Sequence, residues 1–277
     1  MDAELPQETP EVLPITATFT PQTLALGSLV IALLLVFLFF ISKKSTKSKG
    51  NTFLLVGPVD SGKTTIFCQL ISGQSPSTQT SMQPNSSILT LSSNKTIQIT
   101  DIPGHPRLRN QFEEYLPTTR AIGFVVDANT VSRNALAVAE HLHMVLHALT
   151  SLPPSQAQPA LVIIAHKADL FKTSSASNTS PSTLAINRVK SVLERELEKR
   201  RAFQVGGVNI EGLGEEGERS DMGGLECGEK EGSTFKFDEW EGGEISFVAT
   251  STSPKSSEKA SSEPGIGPLE EWLDDNM

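Results

Sequence analysis

Nine residues, 57-GPVDSGKTT-65, constrain this chain more than any other stretch. An apolar run, 52-TFLLV-56, leads into them, and the helix-like 64-TTIFCQLI-71 leads away. In that setting G-x-x-x-x-G-K-[ST] is a phosphate-binding turn between a strand and a helix. Gly57 and Gly62 let backbone N–H groups face phosphate oxygens, with Pro58, Val59, Asp60 and Ser61 forming the turn between them. Lys63 reaches the β- and γ-phosphates, Thr64 supplies a hydroxyl to Mg²⁺, and the helix N-terminus, continued by Thr65, favours an anion. The bland alternative is an ordinary glycine turn, which the flanking strand and helix disfavour. The expected ligand is a nucleoside triphosphate.

The rest of the chain supplies an α/β frame for such a loop. Strand-like runs recur at 96-TIQIT-100, 121-AIGFVV-126, 160-ALVIIA-165 and 245-ISFVA-249, several apolar throughout, as in a parallel sheet covered on both faces. The run 88-ILTL-91 reads as an antiparallel edge strand. Between them lie helical patterns. In 134–149, Leu136, Leu142, Val145, Leu146 and Leu149 are expected to share one face; in 184–200, Leu184, Val189, Val192, Leu193 and Leu197 do so. A short closing helix is expected over 268-PLEEWL-273. This alternation predicts a mostly parallel sheet with helices on both faces.

Two further motifs narrow the ligand. In 97-IQITDIPGH-105, Asp101 at a strand's carboxyl end can hold Mg²⁺ through water, and the Gly104 N–H can contact a γ-phosphate. His105 follows where a water-orienting side chain would stand. Alone, D-x-P-G is a common turn; after a phosphate loop it is a nucleotide sensor. In 161-LVIIAHKADL-170, Asp169 can accept hydrogen bonds from guanine N1–H and the 2-amino group, and the Lys167 stem can lie over the base. Adenine would leave a buried carboxylate unpaired, so the expected ligand is GTP or GDP with Mg²⁺.

Upstream, Leu24 to Ile41 is 18 residues without a charge. As a helix it would be about 27 Å long, close to the hydrocarbon thickness of a thin bilayer. Acidic residues precede it, unlike a signal peptide, and it has no polar face, unlike a core helix. Lys43, Lys44, Lys47 and Lys49 lie on one side only, so that side is expected to be cytosolic. The predicted organisation is a short lumenal tail (1–23), one transmembrane helix (24–41), a basic linker (42–50) and a cytosolic nucleotide-binding domain (51–277).

Net charge is −9, and residues 209–244, with twelve acidic and three basic side chains, carry all of it. The remainder is near neutral, without the basic footprint that DNA binding needs. Residues 206–244, rich in Gly and Glu, are predicted to be a disordered insert, and 172–183 a polar loop. Of the two cysteines, Cys68 is expected to be buried and Cys227 exposed, in a reducing compartment. His141, His143 and His147 share a helix; His143 and His147, four residues apart, could pair on a metal, but no third ligand is evident and a solvated helix face is expected.

These motifs, in this order, resemble the P-loop small GTPases over roughly 51–171 and 245–273. With the N-terminal span, 78-TQTS-81, 101-DIPGHPRLRNQF-112 and the ending 269-LEEWL-273, the chain is most similar to the signal recognition particle receptor β family, Arf-like GTPases tethered in the endoplasmic reticulum membrane. The resemblance implies a heterodimer with the receptor's α subunit and, indirectly, contact with the signal recognition particle and the ribosome. It makes Thr80 or its neighbour Ser81 the switch hydroxyl that senses Mg²⁺, with Thr80 preferred. Ser251 and Thr252 are the nearest matches to the last base-contacting loop, whose lysine is missing. His166 stands where the family pattern has Asn, which implies a weakened contact to the guanine or the phosphate loop; Val59 stands where many GTPases have glycine, which implies slow hydrolysis and a mainly regulatory protein. The competing readings are an anchored Arf/Sar-like trafficking GTPase and, from another class, an ATP-dependent P-loop kinase, for which no arginine-rich lid is visible.

Overall fold

The computed structural model describes residues 50–171, 180–207, 223–227, 234–252 and 265–277. The expected lumenal tail, the apolar run 24–41 and the basic linker up to residue 49 lie outside the described residues. The described residues belong to one compact unit, Lys47–Met277. Among them, no helix is long and apolar enough to cross a membrane.

Six strands form one sheet: β1 (Thr52–Val56), β2 (Asn85–Thr90), β3 (Thr96–Asp101), β4 (Thr119–Asp127), β5 (Ala160–His166) and β6 (Ile245–Thr250). Their spatial order is β2-β3-β1-β4-β5-β6. Only β2 runs antiparallel, paired to β3 at one edge; every other neighbouring pair is parallel. The helices are α1 (Lys63–Ser72), the single turn α2 (Phe112–Tyr115), α3 (Ala135–Thr150), α4 (Pro181–Gly207) and α5 (Gly267–Asn276). This is the mostly parallel sheet with helices on both faces that the alternating pattern predicts, with its one antiparallel strand at the edge.

Side chains alternate across each strand, so the sheet divides its apolar residues between two faces. Leu54, Val56, Phe124 and Ile163 pack with α3 and α4 residues such as Leu142 and Leu193. Phe53, Leu55, Val125 and Ile164 pack with Ile66 and Leu70 of α1 and Leu269 and Leu273 of α5. Crossover chains turn at the carboxyl ends of the parallel strands, so Gly57, Asp101, Asp127, His166 and Thr250 gather at one edge.

Several expectations need correction. Leu136 is 65% exposed. It lies about 120° around α3 from Leu142, off the stripe that Leu142, Val145, Leu146 and Leu149 define. His141 and His143 are buried, not solvated. His141 falls one turn from both Val138 and Val145, and its ring meets Phe124 edge-on. Cys68 is only half-buried, and Cys227 is buried rather than exposed.

The acidic region departs most from expectation. Within it, Leu225, Cys227, Phe235, Phe237 and Trp240 belong to the core; residues 208–222 and 228–233 lie outside the described residues. Phe237 stacks edge-on with Phe235 and with Phe247 of β6. Two of the segment's amides are satisfied by α4: the Phe235 N–H donates to Glu198 Oε2 (2.6 Å) and the Phe237 N–H to Glu194 Oε1 (3.2 Å). Trp240 Nε1–H donates to the Gly224 carbonyl at 2.8 Å. Aromatic burial and carboxylates capping main-chain amides together outweigh the segment's polar composition.

Truncating Trp240 to alanine should therefore lower the unfolding free energy in urea by about 3–5 kcal/mol. The same variant should expose Cys227 to a thiol reagent under native conditions, while Cys68 reacts as before.

Candidate functional site

The phosphate-loop residues form a turn with its backbone held in uncommon conformations. Gly57 (φ 146°) and Gly62 (φ 96°) occupy regions that side chains disfavour, and Asp60 (φ 61°) is left-handed. A Cβ at Gly57 would stand 2.3 Å from the Val125 carbonyl oxygen, and one at Gly62 would stand 2.3 Å from the His166 ring. The loop thus ends tight against β4 and β5 at the start of α1, where free helix N–H groups favour an anion.

Lys63, 6% exposed, points back along the loop. Its Nζ donates to the carbonyls of Gly57 (2.9 Å) and Pro58 (2.8 Å). Burial draws the ammonium down from its ordinary value to about 8, against the opposing pull of Asp101 and Asp60. Asp101 ends β3 fully buried. Its Oδ2 accepts the Thr64 hydroxyl at 2.7 Å, while Oδ1 has no partner. Burial raises the Asp101 carboxyl, offset by Thr64, Lys63, Asn85 and Ser81. Ser81 Oγ lies 3.0 Å from Thr64 Oγ1, so of the two switch candidates it is Ser81 that reaches the Thr64–Asp101 pair. Thr80 lines the same cavity with Thr78 and Gln79. The Thr65 hydroxyl faces Thr78 at 3.2 Å.

One unpartnered oxygen of a buried carboxylate beside two hydroxyls fits a small, hard divalent cation. Among the described residues, no group of three or more His, Cys, Asp or Glu could hold a metal. Such a cation would share its ligands with phosphate oxygens, as Mg²⁺ does. Gly104 closes the cradle: a Cβ there would meet the Gly57 carbonyl at 2.6 Å and Lys63 Nζ at 2.7 Å. Ser61 adds a buried, unpartnered hydroxyl. His105 does not line this cavity. Its Nδ1 accepts the Arg107 N–H at 3.2 Å instead.

The second half of the site follows β5. Lys167 is left-handed (φ 62°), which lets its side chain run back over the loop. Nζ donates to the Asp60 carbonyl (3.0 Å) and to Asp127 Oδ2 (2.7 Å). Asp127, at the end of β4, is a site residue that sequence reasoning missed. Its signal was a carboxylate at a strand's carboxyl end, in register with His166. Its Oδ1 also takes the N–H groups of Asn129 and Thr130. Burial would raise Asp127, but Lys167 and those two amides outweigh it and hold the carboxyl below its ordinary range. Asp169 sits in the 3-10 turn Ala168–Leu170, half-buried beyond Lys167.

His166, in the place expected to hold a side-chain amide, is buried and bonded on both ring nitrogens. Nδ1 meets Thr250 Oγ1 at 2.9 Å and Nε2 meets Thr252 Oγ1 at 3.4 Å. Ser251 is buried, with its N–H donating to the Gly265 carbonyl at 3.0 Å. The ring therefore ties the phosphate loop at Gly62 to the loop after β6.

The geometry can be set against known proteins. The family model described as signal recognition particle receptor beta subunit matches residues 48–243, well over half of the chain. The signal recognition particle receptor subunit beta of Rattus norvegicus is 36% identical over 159 residues, which are 56% of this chain and 58% of that protein. The chain thus spans somewhat over half the length of this curated relative. The solved structure of the mammalian signal recognition particle receptor superposes with a TM-score of 0.59 at 28% identity, covering 82% of this chain and all of the other. A receptor β structure with GDP and magnesium from Chaetomium thermophilum, at 21% identity and TM-score 0.56, covers 84% of this chain and all of the other and shares the fold.

The buried histidines give the site's frame a pH dependence. Burial lowers His166 to about 4 and His141 to about 3, with nearby cations (Lys167 for the first, Arg109 and Lys63 for the second) adding to the effect. Between those values and the ordinary 6.5, the unfolded chain binds protons that the folded chain refuses. Stability should therefore rise with pH through this window, by about 1.4 kcal/mol per pH unit for each histidine, and level off above it. Urea unfolding at pH 5 and pH 7 measures the slope, and His166→Asn should remove one histidine's share.

Proposed function

The chain belongs to the signal recognition particle receptor beta subunit family, and from that premise we propose that it is a membrane-anchored, guanine-nucleotide-binding subunit of that receptor. The observation that carries the reading is the Thr64–Asp101 pair with its unpartnered carboxylate oxygen, set under the start of α1 and closed by Gly104 against Lys63. Bound GTP with Mg²⁺ supplies the charge that orders the surrounding loops. Toward it, the loop Gly57–Thr65 offers amides, Lys63 a cation, and Thr64, Asp101 and a hydroxyl from Ser81 or Thr80 the metal contacts. Lys167 holds the loop at Asp60 and covers the base, whose N1–H and 2-amino group Asp169 reads.

Ordering of the Thr80–Ser81 loop and of residues 104–112 would create the surface that receives the receptor's α subunit, and through it the signal recognition particle and the ribosome. The run Leu24–Ile41 holds the subunit in the endoplasmic reticulum membrane with the nucleotide domain on the cytosolic side. Anchor and switch divide the labour: one fixes where docking happens, the other when. With Val59 in the loop and His105 turned to the Arg107 amide, regulation rather than rapid turnover is the role we assign.

The full-length chain, purified in detergent with Mg²⁺, should release GDP or GTP on denaturation, identified by chromatography. Asp169→Asn should shift preference from guanine toward xanthine nucleotides by about tenfold or more. Unaltered guanine selectivity in that variant would remove Asp169 from the base site, and a nucleotide-free protein would remove the switch.

A further inference from the structure

Of the six buried side-chain polar atoms without partners among the described residues, four belong to Arg109, Gln111, His141 and Arg200. Two of these residues, Arg109 and Arg200, converge on α3 from the segment after Gly104 and from α4. At the centre is Glu140 of α3. Its Oε1 accepts from Arg109 Nη2 (2.5 Å), and its Oε2 lies 3.5 Å from Arg200 Nη2 of α4. Arg109 is mostly buried, with 15% of its side chain exposed, and its Nε has no partner. One carboxylate thus holds two guanidiniums that would otherwise repel each other. Glu140 itself is 44% exposed, so water screens these pairs and they add little to overall stability; the best-attested use of such a cluster is to choose between arrangements.

The same helix reaches the acidic region on its other side. Arg200 and Glu198 are two residues apart, about 200° around the helix. Glu198 and Glu194 take the amides of Phe235 and Phe237, and Lys236 Nζ lies 3.2 Å from Glu194 Oε2. α4 therefore meets Glu140 of α3, and through it Arg109, with one face and the segment around 234–240 with the other. At its near end, residues 104–112 start at Gly104, packed on Lys63.

We propose that Glu140 is a positioning residue of the switch: it clamps residues 105–112 to α3 and α4, and through α4 makes the docking of residues 234–240 depend on that clamp. This rests on the nucleotide-switch reading for its purpose, since release of Arg109 is the move a nucleotide would drive. Its mechanics do not require nucleotide. Glu140→Gln keeps the shape and removes the charge, turning attraction between Arg109 and Glu140 into unrelieved repulsion between Arg109 and Arg200.

The test is amide hydrogen exchange on the full-length chain without added nucleotide. In Glu140→Gln, exchange across 105–112 and 234–240 should quicken about fivefold, while β1, β4 and β5 keep their protection. Arg109→Gln, which leaves no repulsion behind, should loosen 105–112 less than Glu140→Gln does, and the double variant should loosen it no further than Glu140→Gln alone. Unchanged exchange, loosening spread evenly over the sheet, protection retained at 234–240, or additive effects in the double variant would each overturn the proposal. A chain with the expected exchange pattern that binds no guanine nucleotide would sink the functional reading and leave the clamp standing.

Discussion

The site depends on a buried ammonium that must be solvated by something other than water. Lys63 sits at the mouth of the sheet with almost no exposure, and isolated burial of such a charge is prohibitive. The loop solves this with its own main chain, turning the Gly57 and Pro58 carbonyls onto Nζ while Asp101 supplies a nearby negative charge. Most of what surrounds it follows from that arrangement. The glycines are needed because the turn is too tight for Cβ atoms, and Asp101 must be buried to be close. Burying Asp101 in turn leaves its Oδ1 without a partner, beside the hydroxyls of Thr64 and Ser81.

Parallel strands then set the second half in place. Asp127, His166 and Thr250 lie in one row across β4, β5 and β6. Adjacent residues on adjacent parallel strands project to the same side, so a single register brings a carboxylate, an imidazole and a hydroxyl within reach of one turn. Lys167, forced into a left-handed conformation just past the strand, links that row to Asp60. The two halves are therefore one object, joined by main-chain geometry more than by any side-chain pair.

Much of this was legible in the sequence because it depends on local chemistry. Strand runs, the phosphate loop and the strand-end carboxylate at Asp101 declare themselves through spacing and residue type. What stayed hidden depends on partners distant in the chain. Asp127 gains its meaning from Lys167, and Ser81 from Thr64. His141 could not be placed as buried without knowing that Phe124 faces it. In the acidic region, Phe235, Phe237 and Trp240 looked too few to anchor a segment, because the carboxylates receiving two of its amides belong to α4, 37 and 43 residues earlier. Leu136 shows the converse error, where an apolar residue type was taken as proof of a buried position.

Gly104 differs from the loop glycines in one respect. Gly57 and Gly62 need glycine for backbone reasons as well as for space, whereas Gly104 has no left-handed φ and excludes a side chain only through its neighbours. Its requirement comes from the packing of its segment against the phosphate loop and Lys63 and not from the Gly104 backbone itself. A methyl at that position would act like a shim, prising this segment off the phosphate loop at Gly57 and Pro58 while leaving the backbone's own torsions unstrained.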